Sequence, residues 1–514
     1  MPRLHLLALT FLVAAGCTAP AATPPAATPP EAPAPSWLSD LESDIDAIVA
    51  DEMATNYVPG AAVVLVHNGR TLFSRGYGVA DIESGRPVDP DRTLFRIGSV
   101  SKALTAMAVS RLVDDGRLRW DDDVAPYARG MTNPGGFSDP VRLEHLVTHT
   151  GGFDQVGYGR HVRRTELPLA ERKALRPNLG DYLNDGMLRR VRPAGEHFVY
   201  DTYGISLAGH VLGEATGLSY REAMRRELFE PLGMTRSAVE AEGDLLADLA
   251  VGYGWNGSAY VAQPYEVYMT TPASSIDATP ADMARLMEAL TGGGTNAHGR
   301  LYSEAMAAEV LAPQYRPHPA FSGMSHGFWE SRPAVGLPDG YGTRVLGHGG
   351  TMLGYATSLT LFVDANVAVF TIANRHAEAG GPWVQVASRV NEAVAMALNG
   401  SVDARPLALE PSQNHAADLD AYEGEYVRGL YCETCTEAEF AQGGWRRQGG
   451  TPITRDGDRL RFRDALYAPS EAPDVFVLVD GEGEQGLVFK RDASGDVVSV
   501  TTSGGPVERY RVRD

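Results

Sequence analysis

The chain has 514 residues, of which 44% are hydrophobic and 21% charged, and this composition allows a large buried core and excludes global disorder. Its 45 Lys and Arg against 65 Asp and Glu give a formal charge of −20, so nucleic acid, which requires a basic surface, is excluded as the main partner. Only three residues are lysine, namely Lys102, Lys173 and Lys490. A lysine at a chemically meaningful spacing therefore carries unusual weight.

The first residues have the pattern of a signal peptide. Arg3 supplies a positive charge ahead of an apolar run over 4–15, which is too short to span a bilayer as a helix. We therefore predict that residues 1–16 form a signal peptide and that the chain is exported. No later stretch is apolar for long enough to predict a membrane-spanning helix.

The end of this segment, AAGC at 14–17, resembles a bacterial lipobox. The resemblance implies lipidation of Cys17 and a membrane anchor, with the protein in the periplasm or at the cell surface. Thr18 after the cysteine favours the outer membrane if the cell is Gram-negative. Ordinary cleavage a few residues later is the alternative, and it also predicts export. Residues 17–36, mostly Ala, Pro and Thr, are predicted to form a semi-rigid tether.

The hydrophobic pattern predicts one α/β domain over residues 37–400. Two strands, 63–66 and 71–73, flank an Asn68-Gly69 turn, which is a strong hairpin signal. Apolar residues at helical spacing follow over 103–113 and end at Gly116. Further helical patterns occupy most of 120–300. Strand patterns return at 343–346, 355–363 and 367–372, before a last helix over 384–398.

A second, smaller domain is predicted over residues 415–514. Short strand patterns at 475–479, 486–489 and 497–501 are separated by Asp/Gly turns, which indicates an all-β barrel or half-barrel. Cys432 and Cys435 are spaced C-x-x-C there. A zinc site would need a second ligand pair, and none follows. In an exported protein a local disulfide is favoured over an unpaired or redox-active pair.

The spacing Ser99-x-x-Lys102 stands at the start of the first strong helical pattern. A serine hydroxyl is a poor nucleophile that needs an adjacent base. Residues three apart share one helix face, so Lys102 would lie beside Ser99 and could serve as that base if its surroundings favour the neutral amine. The alternative is an N-cap serine followed by a solvated lysine.

Six stretches carry a family resemblance: RGYGVAD at 75–81, LFRIGSVSK at 94–102, LVDDG at 112–116, LVTHTGG at 146–152, PLGMT at 231–235 and GHGG at 347–350. In this order they resemble the serine β-lactamase-like superfamily, in its branch of class C β-lactamases, esterases and D-stereospecific peptidases. The resemblance covers residues 40–398. It implies an antiparallel sheet flanked by helices, with an inserted helical subdomain, and it implies Ser99 as nucleophile and Lys102 as base. LDAYEGEY at 419–426 resembles the lipocalin-like β domain of some members.

The family's second motif, Tyr-x-Asn, has two candidates here. Tyr182-Leu183-Asn184 has the right letters but lies in a predicted helix ahead of PAGEHF at 193–198. Tyr200-Asp201-Thr202 has the family's flanking residues, so we assign the proton-transfer role to Tyr200 and a packing role to Tyr182. Thr202 stands where the family has Asn, and it lacks an amide N–H₂ for contacting substrate amides.

The third motif, Lys-Thr-Gly in many members, corresponds to His348-Gly349-Gly350, just ahead of a predicted strand. The resemblance implies that His348 donates toward the substrate and that Gly349 and Gly350 let the substrate lie close to the backbone. It also implies an oxyanion hole made by the backbone N–H groups of Ser99 and Thr351. His149 is interpreted as stabilising its loop rather than binding metal.

These observations predict an exported serine hydrolase that needs no metal or cofactor and acts on a small ester or amide. Carboxylic esters rank first, because Thr202 and His348 replace the family's amide-recognising Asn and its Lys. β-Lactams, D-amino-acid amides and peptidoglycan stems are the alternative substrates. A non-catalytic envelope protein that binds cell-wall material is the alternative of a different class.

Overall fold

The computed structural model describes residues 35–157, 161–162, 166–331, 344–376, 384–398, 409–412, 418–441, 446–447, 449–481, 485–505 and 507–512. The predicted signal peptide (residues 1–16), Cys17 and nearly all of the predicted tether lie outside the described residues. Within the described ranges, none of the helices combines the length and the hydropathy needed to cross a bilayer.

The larger part of the chain forms the predicted α/β domain. Its strands are β1 Gly60–His67, β2 Arg70–Asp81, β3 Arg86–Pro87, β4 Phe95–Arg96, β5 His161–Val162, β6 Ala238–Val239, β7 Tyr253–Trp255, β8 Tyr260–Ala262, β9 Val267–Tyr268, β10 Ile276–Ala278, β11 Trp329–Ser331, β12 Val345–Met352, β13 Tyr355–Phe362 and β14 Val367–Ala373. Seven of them form one antiparallel sheet in the order β11-β12-β13-β14-β1-β2-β3. The predicted hairpin at Asn68-Gly69 is confirmed as the β1–β2 turn.

Helices cover both faces of this sheet. They are α1 Leu38–Thr55, α2 Val100–Asp114, α3 Leu143–Val147, α4 Leu169–Ala174, α5 Leu179–Asn184, α6 Thr202–Thr216, α7 Tyr220–Met224 (continued by a π-helix, Arg225–Phe229), α8 Pro280–Thr291, α9 Glu304–Leu311 and α10 Val386–Leu398, with 3₁₀ turns at Gly243–Asp248 and Thr271–Ala273. The predicted fold class, an antiparallel sheet between helices, is confirmed.

The apolar run of β1 shows why the sheet is buried on both sides. Side chains alternate along a strand, so Ala62, Val64 and Val66 face the core that contains α2 and α8. Ala61, Val63 and Leu65 face the opposite core, which α1 and α10 complete. A run without polar interruptions is what a central strand with two covered faces requires.

Helix α2 lies in the interior of the larger core. Twelve of its 15 residues are buried, including Lys102, and a helix that is apolar all round is suited to such a place. Its N-terminus, at Ser99, meets β12 at the edge of the sheet. The sequence predicted His348-Gly349-Gly350 ahead of a strand, but the structure has them inside β12, because the two glycines weaken the strand pattern without ending the strand.

The C-terminal region is a closed antiparallel barrel, as predicted. Its strands are β15 Gly424–Arg428, β16 Thr451–Asp456, β17 Arg459–Phe462, β18 Ala465–Pro469, β19 Val475–Asp480, β20 Gly486–Arg491, β21 Val497–Thr502 and β22 Glu508–Arg511, with a 3₁₀ turn at Leu419–Tyr422 and a short helix, α11, at Glu437–Ala441. Each strand pairs with the next, and β15 pairs with β22. Aromatic side chains such as Tyr426, Phe476 and Phe489 form its interior.

The segment between β15 and β16 connects the barrel to the α/β domain. The favoured disulfide, Cys432–Cys435, is present in it. Asp154 of the α/β domain accepts hydrogen bonds from the backbone N–H groups of Glu433 (2.8 Å) and Thr434 (2.9 Å). Two ion pairs, Arg192–Glu433 and Arg189–Glu439, connect the same regions. The segment closed by the Cys432–Cys435 disulfide therefore packs against Asp154, five residues after His149.

Candidate active site

Ser99 and Lys102 lie together at the start of α2. Ser99 is the N-cap residue of the helix, and Lys102 Nζ, one turn further, lies 3.2 Å from Ser99 Oγ. Lys102 is only 2% exposed, and its Nζ also donates a hydrogen bond to the carbonyl oxygen of Ala273 (2.9 Å). The alternative reading as a solvated lysine is therefore wrong. A buried amine beside a serine hydroxyl is positioned to exchange a proton with it.

Two glycines allow β12 to approach Ser99 closely. Gly98 has a φ of +55°, and a Cβ on it would lie 3.2 Å from the backbone nitrogen of Thr351. A Cβ on Gly350 would lie 2.2 Å from the carbonyl oxygen of Ile97 and 3.2 Å from the backbone nitrogen of Ser99. A side chain at either position would push the start of α2 away from β12. Glycine at both positions therefore lets the backbone N–H groups of Ser99 and Thr351 lie close together.

Tyr200 packs directly against Lys102. The Lys102 ammonium nitrogen lies 4.9 Å from the centre of the Tyr200 ring, and Trp329 packs edge-on against the same ring with centroids 5.4 Å apart. The competing Tyr182 lies on α5, against the main core, and the Asn184 side chain of its motif accepts a hydrogen bond from the backbone N–H of Gly130 (2.7 Å). Of the two motifs, the structure brings that of Tyr200 to Lys102.

His149 stabilises its loop, and it also packs against Tyr200. Its Nδ1 accepts a hydrogen bond from the backbone N–H of Asp201 (3.0 Å), and its ring lies 4.9 Å from that of Tyr200. Burial, the nearby His348 and Lys102 hold the pKa of His149 well below its usual range, so the ring is neutral with its proton on Nε2. Sequence reasoning gave the loop role but not the contact with Tyr200.

His348 is buried and neutral, unlike the lysine that the resemblance led us to compare it with. Burial, reinforced by Lys102, lowers its pKa to about 3. Its Nδ1 lies 2.7 Å from the carbonyl oxygen of Gly349, and because a carbonyl oxygen can only accept, Nδ1 carries the proton. Nε2 then carries a lone pair and is buried without a hydrogen-bond partner in the described part of the chain, so His348 holds an acceptor there rather than the expected donor.

The residues after Tyr200 begin helix α6. The Asp201 side chain caps the helix by accepting from the backbone N–H of Tyr203 (2.9 Å), and burial raises the pKa of Asp201 to about 6. Thr202 is the first helical residue and is 9% exposed. Its predicted contact with the substrate stays a prediction.

Tyr265 belongs to a separate set of buried contacts. The guanidinium carbon of Arg96 sits 3.7 Å from its ring centre, and its hydroxyl donates to Asp277 (3.1 Å). This is a buried structural network. Trp329, the first residue of β11, packs beside Tyr200, a contact that the sequence analysis did not predict.

The barrel also reaches this region, through Glu508 of β22. This carboxylate is 1% exposed. Its donors are His197 Nδ1 (2.8 Å), the backbone N–H of Phe198 (3.1 Å), Lys490 Nζ (3.4 Å), the Tyr510 hydroxyl (3.5 Å) and Ser499 Oγ. Burial alone would raise the pKa of Glu508, but Lys490, His197 and Ser499 lower it to about 2. A charged group of the barrel therefore fixes the backbone two residues before Tyr200.

Comparison with known proteins agrees with this geometry. A family model described as Beta-lactamase matches residues 45–384. Protein flp of Staphylococcus aureus (strain MRSA252) is 25% identical over 248 residues, which are 48% of this chain and 48% of that protein. The chain therefore spans about half the length of the curated relatives it matches first.

Two solved structures share the fold. EstCE1, described as a hydrolase with promiscuous acyltransferase activity, is 18% identical with a TM-score of 0.56, over 70% of this chain and 98% of its own. The D-alanine carboxypeptidase AmpC from Burkholderia cenocepacia is 23% identical with a TM-score of 0.53, over 71% of this chain and 100% of its own. At these identities the likeness concerns the fold.

Proposed function

Because the chain belongs to the beta-lactamase family, whose members with this fold are serine hydrolases, we propose that it hydrolyses carboxylic esters through an acyl-enzyme on Ser99. The observation that carries the proposal is the 3.2 Å separation of Lys102 Nζ and Ser99 Oγ inside the protein. A serine hydroxyl next to a buried amine has the base that it needs to become a nucleophile.

The first half of the reaction forms the acyl-enzyme. Ser99 Oγ attacks the ester carbonyl carbon while its proton passes to Lys102 and Tyr200. The backbone N–H groups of Ser99 and Thr351 hold the negative charge of the tetrahedral intermediate. The bond to the alkoxide oxygen then breaks, and the same proton returns to that oxygen, so the alcohol leaves neutral.

The second half releases the acid. Water attacks the acyl-Ser99 carbonyl and gives a proton to the Lys102–Tyr200 pair, which returns it to Ser99 Oγ. His149 and His348 both have a strongly lowered pKa, so they stay neutral at physiological pH and add no positive charge beside Lys102.

Two substitutions support esters as the preferred substrates. Thr202 stands where the family places an amide side chain, so a substrate amide loses a partner there. His348 is neutral and offers an acceptor, so it lacks the charge that a lysine would give to a substrate carboxylate. The fold shared with a D-alanine carboxypeptidase keeps D-amino-acid peptides as the second candidate.

A parallel assay of purified protein tests the proposal. Turnover of phenyl acetate, a chromogenic cephalosporin and a D-Ala-D-Ala peptide is measured as kcat/KM, together with covalent labelling by a fluorophosphonate serine probe. We expect labelling and the highest kcat/KM for the ester. No labelling and no turnover would favour the non-catalytic binding protein instead, and a preference for the peptide would favour the second candidate.

We further propose that the chain is exported and lipid-anchored through Cys17, on the basis of the AAGC sequence that ends an apolar run. Expression in a bacterium followed by mass measurement of the N-terminal peptide tests this. We expect a diacylated Cys17 in the membrane fraction, and a Cys17→Ser variant that is released from that fraction. Cleavage at another residue without lipid would contradict the anchor and leave export intact.

A further inference from the structure

A cavity of about 140 Å³ lies where the barrel meets the α/β domain. Phe198, Tyr200 and Trp329 line it from the α/β domain, and Arg428, Gly429 and Leu430 line it from the barrel. Tyr200 is the residue to which the proposed function gives proton transfer. The barrel therefore forms part of a wall directly beside the proposed catalytic tyrosine.

Specific contacts hold this wall in place. The backbone N–H of Gly429 donates to the carbonyl oxygen of Glu508 (3.2 Å), while the Glu508 side chain accepts from the backbone N–H of Phe198 (3.1 Å). A Cβ on Gly429 would lie 2.7 Å from the Tyr510 ring and 3.3 Å from a Val199 methyl group. The glycine lets the barrel approach Val199, so the cavity is a built junction.

The charges around the cavity are unequal. Glu508 also borders it, but its carboxylate is buried and compensated by Lys490 and His197. Arg428 is the exposed member of the lining. Its backbone pairs with β22, but its guanidinium forms no ion pair or hydrogen bond with any residue that the structure describes. An unpaired guanidinium at the edge of an apolar cavity is suited to a carboxylate.

The position of the cavity indicates which half of a substrate it would hold. Tyr200 and Lys102 return the proton to the leaving oxygen in the proposed reaction, so the leaving group must lie on their side of Ser99. The cavity adjoins Tyr200 and has space for roughly five groups of water size. A short aliphatic chain fits that space.

We infer that this cavity is a leaving-group subsite for substrates whose alcohol half is a short apolar chain ending in a carboxylate, which pairs with Arg428 of the barrel. The inference rests on the proposed ester hydrolysis at Ser99. The barrel would thus supply the charge that His348, as a neutral side chain, does not.

Two isosteric substrates test the subsite. 4-Acetoxybutyrate and 4-acetoxybutyramide differ in the charge at the end of the leaving group, and each releases acetate and its alcohol when water cleaves the ester. For the native protein we expect kcat/KM to favour the carboxylate by about tenfold, the value of one charge-assisted hydrogen bond. Arg428→Gln should bring the ratio close to one, because kcat/KM for the carboxylate should fall toward that for the amide.

Two further variants separate a subsite from a general charge effect. Arg459→Gln removes the same charge from β17, away from the cavity lining, and should keep the tenfold ratio. Leu430→Trp fills the cavity and should raise KM for both substrates with a four-carbon alcohol half more than for methyl acetate. The subsite would be overturned if the native protein showed no preference for the carboxylate, or if the Arg428 and Arg459 variants lost that preference equally.

Phenyl acetate keeps the two proposals distinguishable, because its leaving group has no carboxylate. If phenyl acetate is cleaved but the native protein shows equal kcat/KM for 4-acetoxybutyrate and 4-acetoxybutyramide, the subsite is overturned and ester hydrolysis stands. If phenyl acetate is not cleaved and Ser99 is not labelled, the proposed function fails. Calorimetric binding of 4-hydroxybutyrate then decides the subsite, since it should bind the native protein and bind Arg428→Gln at least several-fold more weakly.

Discussion

Two regions bury ionisable side chains almost completely: the cleft around Ser99, formed by Lys102, His149, Tyr200 and His348, and the contact around Glu508, formed with His197, Phe198 and Lys490. They differ in how many hydrogen bonds these side chains make. In the cleft, Nε2 of His149 and Nε2 of His348 are buried without a hydrogen-bond partner in the described part of the chain. At the contact, the Glu508 carboxylate accepts from five donors. A buried polar group without a partner costs about 1–3 kcal/mol, so the cleft carries a cost that the contact does not.

This difference indicates a division of work between the two regions. Groups that are left unsatisfied in a cleft are available to a substrate, and active sites commonly keep such strain because the surroundings stabilise it. The contact is fully satisfied, and it fixes Phe198, two residues before Tyr200. We therefore expect changes in the cleft to remove activity and changes at the contact to remove stability first.

The largest effect is expected at Ser99. Ser99→Ala removes the proposed nucleophile and should lower kcat/KM for phenyl acetate by a factor on the order of 10³ or more, with the melting temperature nearly unchanged. Ser101→Ala is the matched control, because Ser101 Oγ accepts from the backbone N–H of Ile276 (3.1 Å) and is structural. It should lower stability and keep probe labelling. Full labelling of Ser99→Ala would contradict the assignment.

Tyr200 is expected to follow. Tyr200→Phe keeps the ring that packs on Trp329 but removes the hydroxyl that would carry the proton, so kcat should fall by about 10²-fold, the lower range for acid–base catalysis. Tyr182→Phe is the control, and we expect it to retain nearly full kcat. If Tyr182→Phe were the inactivating change, the choice between the two motifs would be wrong.

The sequence predicted most of the fold and the centre of this cleft. Local patterns sufficed for β1, β2 and α2, and the order of the family stretches selected Ser99, Lys102 and Tyr200. The contact could not be predicted, because Glu508 and Phe198 are 310 residues apart and no local pattern reports such a pairing. The sequence held one signal for this contact, Lys490, because lysine is rare in the chain. The neutrality of His348 also escaped prediction, because it depends on burial.

Glu508 tests the contact side of the comparison. Glu508→Gln leaves Lys490 and His197 without their anion, and we expect a loss of about 2 kcal/mol in the free energy of unfolding. Chemical denaturation measures this. Glu437→Gln, which removes an exposed carboxylate paired with Arg446, should change stability by less than about 0.5 kcal/mol. Equal effects of the two variants would contradict the special role of the contact.

The same variant separates the two regions by pH. The pKa of Glu508 is lowered to about 2, so its contribution to stability is complete above its ordinary pKa near 4.5 and is lost as the pH falls from there to about 2. The cleft histidines have a pKa lowered from 6.5, so the stability that their neutral forms contribute already begins to be lost as the pH falls below 6.5. Glu508→Gln should therefore weaken the pH dependence of the unfolding free energy between about pH 4.5 and 2, and leave it unchanged between about pH 6.5 and 4.5.

The smallest effect is expected at Thr202, where the cleft departs from its family. Thr202 lies two residues after Tyr200, at the start of α6, and is nearly buried. Thr202→Asn should shift the ratio of kcat/KM for cephalosporin over phenyl acetate by about 1–2 kcal/mol toward the cephalosporin, the value of one hydrogen bond. Thr216→Asn, at the far end of the same helix, is the control and should leave the ratio unchanged. Because the ratio compares two substrates in one protein, a change in folding cancels from it. A native protein that already prefers the cephalosporin by tenfold would overturn the ester ranking but not the role of Ser99.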